Sequence, residues 1–450
     1  MKIHAVGGYN EVGKNMTAIQ LGEDEKTDVL LCDAGLYLPP IVELEEKDNN
    51  QSIYNEQALR RLGAIPDDTY LDRTHLRSKV RALLISHAHL DHVGAAPYMA
   101  HRYSGDIVGT QFTTEVLKTL MRDQNTRMNN RIVSLHPNSS YNVKGKKEYK
   151  VEFINMTHST IQTALIAIHT DEGVVLYAND FKLDNTPILG QKPNYERIKQ
   201  LAKQGVKALI VESLYAADER KTPSEKIARD LLQDVLLTSD NKNACLIVTT
   251  FSSHIARLKS IVDFGRKLNR QIIFLGRSLH KYMQAAIKIK MCPFQNDVRM
   301  FTYKNQLSSI LKKINKNRSE YMIVCTGHQG EPGSMLERMS RGETAFQFSP
   351  KDHVIFSSKT IPSEVNVANK ALVEKRLKSK HVRIFDSVHV SGHASREDLR
   401  DFINMINPEH IIPAHGDITK TSALADLASE MGYRLGKNCH ILQNAQYIKV

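Results

Sequence analysis

At 450 residues the chain has room for two or three domains, and its 41% hydrophobic content is enough for sizeable cores. Lysine and arginine total 61 against 49 acidic residues, a formal charge of +12. That excess favours a polyanionic partner such as nucleic acid, although a generally basic surface gives the same count. The opening MKIHAVGGYN lacks an apolar leader and no run of 18 apolar residues occurs, so neither a secretory signal nor a membrane span is expected.

The cysteines, Cys32, Cys245, Cys292, Cys325 and Cys439, are odd in number and sit mostly in apolar runs. They read as buried thiols in a reducing compartment, the cytoplasm, and not as a disulfide framework.

In chain order, residues 3–33 read as two strands with GGYNEVGKN between or beside them, the second running into Asp33-Ala34-Gly35. Asp33 at a strand end is a turn residue by default, or an orienting partner for a metal-bound histidine if ligands lie nearby. Residues 36–79, with Pro39-Pro40, an acidic run from Glu43 to Asp48 and a helical pattern near Asn55 to Leu62, read as an ordered insertion on the surface.

The apolar run Val80 to Ile85 then delivers SHAHLDHVG. In an extended segment residues two apart share a side, so His87 and His89 can reach one metal ion together. A tight turn into a helix start swings Asp91 and His92 toward a second ion about 3.5–4 Å away. Imidazole and carboxylate without thiolate suit a catalytic zinc or manganese pair better than a closed structural site.

Ala95 to Tyr103 and Thr113 to Met121 look helical. Apolar strands follow at Tyr149 to Asn155, Gly173 to Ala178 and Val206 to Val211, leading into His158, Asp180 and Glu212. Singly, each is an ordinary polar residue at a strand end. As a series they are ligand-type groups at the carboxyl ends of consecutive strands, where α/β layers build their sites.

From Asn243 to Ser358 the chain alternates strand, loop and helix as a mostly parallel sheet requires. The strands are Ala244 to Thr249, Gln271 to Leu275, Tyr321 to Cys325 and His353 to Phe356. The loops after them, including Ser252-Ser253 and Thr326 to Gly330, are rich in hydroxyls and glycine. Such loops can cradle phosphate, or be plain strand-to-helix turns. Basic clusters at Lys312, Lys313, Lys316, Arg318 and at Lys375, Arg376, Lys378, Lys380, Arg383 suit a solvated helix face as well as RNA. Histidine returns after two further strands, Val382 to Phe385 and His410 to Pro413, in HVSGH (His389 to His393) and in AHGD (His415).

With these stretches side by side, the chain resembles the β-CASP group of the metallo-β-lactamase-fold nucleases, and within it most closely the archaeal type of ribonuclease J. The resemblance runs over nearly the whole chain and rests on GGYNEVGKNM, HAHLDH, His158, Asp180, Glu212, TTFSSH, CTGHQGEP, HVSGHAS and PAHGD. HxHxDH alone would also fit glyoxalase-like and lactamase-like hydrolases. The implied fold is α/β: a metallo-β-lactamase αββα sandwich, residues 1–212 and 386–450, interrupted by a β-CASP α/β domain at residues 213–385. Bacterial members usually carry a further C-terminal domain, whereas this sequence stops soon after PAHGD.

The resemblance implies that His87, His89 and His158 hold one zinc and Asp91, His92 and His415 the other, with Asp180 bridging and manganese possible in place of zinc. Glu212 would hold a histidine, His393 would stand at the scissile phosphate as general acid, and Asp91 would orient the nucleophile. His389, Val390, Ser391, Gly392 and His393 would bind substrate phosphate, with Ser252 and Ser253 nearby. The implied activity is 5′-to-3′ exonucleolytic hydrolysis of RNA, favouring 5′-monophosphate ends, by a cytoplasmic homodimer in RNA decay and processing. The alternatives are an endoribonuclease or DNA-directed exonuclease of the same fold, and, from another class, a catalytically silent RNA-binding protein.

Overall fold

Along β1 (Lys2–Gly7), Ile3 and Ala5 face one side and Val6 the other, and all three are buried. In β2 (Met16–Leu21) and β3 (Asp28–Cys32) the same alternation puts Ile19, Leu30 and Cys32 on one face and Ala18, Val29 and Leu31 on the other. Strands buried on both faces need a layer on each side. The computed structural model supplies those layers; it describes residues 1–48, 54–302, 304–361 and 364–450.

The first sheet continues with β4 (Val80–Ile85), β5 (Asp106–Thr110) and β6 (Ile132–Leu135), each parallel to its predecessor from β3 onward. The second starts with the antiparallel run β7 (Ser139–Lys144), β8 (Glu148–Asn155), β9 (Ala164–Thr170) and β10 (Gly173–Ala178), and β11 (Val206–Glu212) lies parallel to β10. A third, wholly parallel sheet is built from β12 (Leu246–Thr249), β13 (Gln271–Leu275), β14 (Val298–Phe301), β15 (Tyr321–Cys325), β16 (His353–Phe356) and β17 (Arg383–Phe385). The chain then returns: β18 (His410–Ala414) pairs with β11, and β19 (Gln446–Lys449) closes on β1.

The inner faces of the first two sheets meet in one core, where Ile3, Leu30, Leu84 and Val108 oppose Phe153, Ile166, Tyr177 and Ile210. Outer faces are covered by helices, Gln111–Asp123 on one side and Tyr195–Gln204, Arg396–Ile406 and Ile418–Glu430 on the other. This is the αββα sandwich. The third sheet has helices on both faces and joins the sandwich through a continuous apolar layer, flanked by Lys288–Glu115 at 2.6 Å.

Some expectations need correction. Residues 3–33 form three strands and not two, with the turn at Gly22–Lys26 separating Met16–Leu21 from Asp28–Cys32. Ala95 to Tyr103 splits into a short helix, Ala96–Met99, and a 3-10 turn, Ala100–Arg102. Residues 36–79 are not a surface insertion: Leu59, Ala64, Leu71 and Leu76 are buried in the layer outside the first sheet. Residues 49–53 of that segment lie outside the described residues. After β11 the chain stays bonded to the sandwich for a few residues, with Ser213 N donating to Ala414 O at 2.9 Å and Thr222 Oγ1 to His393 O at 2.6 Å. The cysteines are all buried and free, and among the described residues no helix is long and apolar enough to cross a membrane.

Candidate metal centre

The strands β3, β4, β8, β10, β11 and β18 end at one edge of the sandwich, and each delivers a polar group there. Asp33 and His415 directly follow their strands and Asp180 comes one residue later after its own, with φ of 63°, 55° and 60°. Asp and His enter this left-handed region more readily than most residues, at some cost that a packed site must offset. After β4 the helix Leu90–Val93 turns Asp91 and His92 back toward His87. Gly35 makes that fold possible, since a Cβ there would lie 1.6 Å from the Asp91 carbonyl oxygen.

Two groups of donor atoms result. His89 Nδ1 lies 3.1 Å from His87 Nε2 and 3.0 Å from His158 Nε2, and Asp180 Oδ2 stands 3.4 and 3.6 Å from those last two nitrogens. In the second group His92 Nε2 is 3.6 Å from Asp91 Oδ2 and 3.2 Å from Asp180 Oδ2, and His415 Nε2 is 3.8 Å from Asp91 Oδ2 and 3.5 Å from Asp180 Oδ1. Asp180 therefore faces both groups. Around a tetrahedral zinc with bonds of about 2.0–2.1 Å, neighbouring donors sit roughly 3.3 Å apart. The observed spacings match donors that share an ion, and Asp180 Oδ1 is buried with no hydrogen-bond partner.

Outer partners set each ring. His92 Nδ1 donates to Asp33 Oδ2 at 2.7 Å, and Asp33 is itself held by Ser86 N, Ser86 Oγ and the Tyr177 hydroxyl. Because the Ser86 hydroxyl donates to Asp33, it accepts from His87 Nδ1 at 3.0 Å. His158 Nδ1 donates to Gly392 O at 2.6 Å and His415 Nδ1 to Asn15 Oδ1 at 2.9 Å. Four rings thus turn Nε2 lone pairs inward, the arrangement of metal-ligating histidines. Burial lowers the pKa of His87, His89 and His158, and takes His415 down to about 4, favouring the neutral ligand form. For His92 burial is outweighed by Asp180, Asp91 and Asp33, which hold a proton that a cation would replace.

Glu212 lies outside the two histidine-rich sets and groups with Asp180 and His393. Its Oε2 accepts from His393 Nδ1 at 2.6 Å and its Oε1 from Phe181 N at 2.8 Å. Burial opposes charge on His393, yet Glu212 and Asp180 outweigh it and raise its pKa to about 9. The His393 ring lies 4.8 Å from that of His158. Next to it, Ser391 Oγ accepts from His393 N at 3.0 Å, and Val390 is buried. Ser252 and Ser278 share a hydroxyl bond of 2.9 Å, and Ser253 is buried beside the start of the helix Ile255–Lys267.

The basic clusters sit elsewhere. Arg318 and Arg383 lie at the amino ends of β15 and β17, opposite the phosphate-type loops, and Arg318 is paired with Asp352 at 2.6 Å, Arg376 with Glu337 at 3.2 Å. Asn15 and Tyr177 are site residues that sequence reasoning passed over. Asn15 lies within the quoted GGYNEVGKNM, where its amide gave no sign of reaching His415.

Three family models match the chain: "Metallo-beta-lactamase superfamily" over residues 15–222, "Ribonuclease J, beta-CASP domain" over 243–375, and "Zn-dependent metallo-hydrolase RNA specificity domain" over 380–442. Ribonuclease J of Methanocaldococcus jannaschii is 41% identical over 448 residues, covering 99% of this chain and 98% of that protein. The chain belongs to the ribonuclease J family. Ribonuclease J of Pyrococcus abyssi is 40% identical across 100% of this chain and 97% of its own, and Ribonuclease J2 of Bacillus subtilis 27% across 96% and 72%. A solved structure of a protein of unknown function from Enterococcus faecalis shares the fold, with a TM-score of 0.64 at 15% identity over 99% of both chains. As a ribonuclease J family member with a metallo-β-lactamase domain and an inserted β-CASP domain, the chain is a metal-dependent ribonuclease.

Proposed function

We propose that this chain removes nucleotides from the 5′-monophosphate end of RNA, with two zinc ions, or manganese in their place, held by His87, His89 and His158 and by Asp91, His92 and His415, and bridged by Asp180. The observation that carries the reading is the 2.6 Å hydrogen bond from His158 to the Gly392 carbonyl, which ties the loop His389 to His393 to a metal-ligand histidine. A terminal phosphate held by that loop would place the next phosphodiester beside the histidines and carboxylates that would hold the ions.

When bound, the ions supply Lewis acidity toward an attacking water and the phosphate oxygens. Asp91, about a quarter exposed, orients that water. His393, protonated at neutral pH and steadied by Glu212, donates its proton to the leaving 3′ oxygen. His389, Ser391 and the backbone of Val390 and Gly392 grip the terminal phosphate, with Ser252 and Ser253 nearby. The +12 charge supports a nucleic-acid substrate, and the printed names of the relatives support RNA. Residues 213–385 form the inserted domain in this reading. Homodimeric assembly and a cytoplasmic location rest on the family resemblance.

Digestion of one RNA sequence carrying a 5′ monophosphate, triphosphate or hydroxyl tests the reading. Mononucleotides should dominate early from the monophosphate substrate, and the triphosphate, with added bulk and charge at a closed pocket, should be slower. Equal rates on the three ends would overturn the phosphate-loop assignment.

A further inference from the structure

The helix Glu225–Gln233 and the loop that holds His389 lie near the two ends of the inserted domain, and one side chain touches both. Arg257, in the first turn of the helix Ile255–Lys267, has no solvent exposure. Its Nε and Nη2 donate to Glu225 Oε1 and Oε2 at 2.5 and 2.9 Å, a bidentate pair. Nη1 donates to the Ser357 carbonyl at 2.8 Å and hydroxyl at 2.9 Å, and at 3.4 Å to the Val388 carbonyl and to His389 Nδ1. The Ser357 hydroxyl in turn donates to the Val388 carbonyl at 2.9 Å.

Glu225 is anchored from the metal side. Asp184, which follows Asp180 on the same loop, accepts from Glu225 N at 2.8 Å and from the Ser224 hydroxyl at 2.6 Å. A chain of hydrogen bonds therefore runs from the metal-ligand loop through Glu225 and Arg257 to His389, the last of them the longest at 3.4 Å.

A guanidinium has donors only. The ring nitrogen it meets must accept, so His389 Nδ1 carries no proton and the neutral ring has its hydrogen on Nε2. Double protonation is opposed by burial, then by Arg257 and His254, which take the His389 pKa down to about 2. A ring that offers a lone pair at Nε2 would repel a phosphate oxygen; one that offers N–H binds it.

We propose that Arg257 is a positioning residue for substrate phosphate: it fixes His389 as the Nε2–H tautomer, while Glu225 holds the guanidinium in place. The proposal rests on the reading of residues 389–393 as the phosphate-binding loop.

The test uses the full chain with its metals. Removing either partner strands a buried charge, so the informative variant replaces the pair, Arg257→Met with Glu225→Leu, beside the milder Arg257→Lys. Nitrogen NMR of histidine-labelled protein, with His389→Ala as the difference that assigns its ring, reads the tautomer without RNA. Wild type should show an unprotonated Nδ1, and the paired variant a proton shared between both ring nitrogens. KM for 5′-monophosphorylated RNA should rise roughly ten- to a hundred-fold, the worth of a hydrogen bond to a charged group. Metal content and kcat should hold. Adding His389→Ala should cost nothing further, because both changes act through one contact, and Arg257→Lys should recover part of the affinity. An unchanged tautomer overturns the proposal, as does a loss additive with that of His389→Ala. Wild-type indifference to the 5′ phosphate, with the tautomer still following Arg257, would instead strike the phosphate-loop reading.

Discussion

Asp180→Ala is expected to lose both ions and to bring RNA cleavage to background. Its Oδ2 lies 3.2–3.6 Å from the inward nitrogens of His87, His92 and His158, and its Oδ1 3.5 Å from that of His415, so its charge serves every position a cation could take. Loss of an outer partner of a metal ligand costs about 10–100-fold in affinity, and removal of a shared ligand should cost more at each position. His87→Ala with His89→Ala is the comparison, because those rings belong to one group only. It should empty one position and leave the other. Elemental analysis of the purified proteins counts the ions directly; an Asp180→Ala protein with both ions and normal turnover would remove the bridging role.

His393→Ala should slow cleavage by roughly 10²–10⁴, the usual worth of a general acid or base. That corresponds to about 2.7–5.4 kcal/mol of transition-state stabilisation. Its Nδ1 is committed to Glu212 at 2.6 Å, and it lies outside the two histidine-rich donor groups, so metal content should be unchanged. Single-turnover kinetics beside metal counts separates the two roles. Metal loss as deep as in His415→Ala would move His393 into the ligand set.

The clustering of the candidate ligands was largely legible in the sequence because strand ends carry them. His87, His89, Asp91 and His92 fall within one strand-to-helix turn, and His158, Asp180, Glu212 and His415 each close an apolar run. What could not be read were partners that only the fold brings together. Asn15 reaches His415 across 400 residues, and Asp33 became an orienting group only once His92 lay beside it. Arg257 left a faint signal, one charge among Ile255, Leu258, Ile261 and Val262 on a buried helix face. Residues 36–79 were misjudged because the buried Leu59 and Leu71 sit singly in helices of six and five residues among charges, too short to show the period of a longer helix. Strands β7 and β14 escaped because they lie at sheet edges and are only partly buried.

If cleavage counts from a 5′ end, as proposed, a closed RNA has no end to offer. Linear 5′-monophosphorylated RNA and a circle of the same sequence, incubated with the metal-loaded protein and followed over time, test that most directly. Mononucleotides are expected from the linear substrate, and an intact circle over the same interval. Rapid cutting of the circle, or a ladder of internal fragments before any mononucleotide, would contradict it.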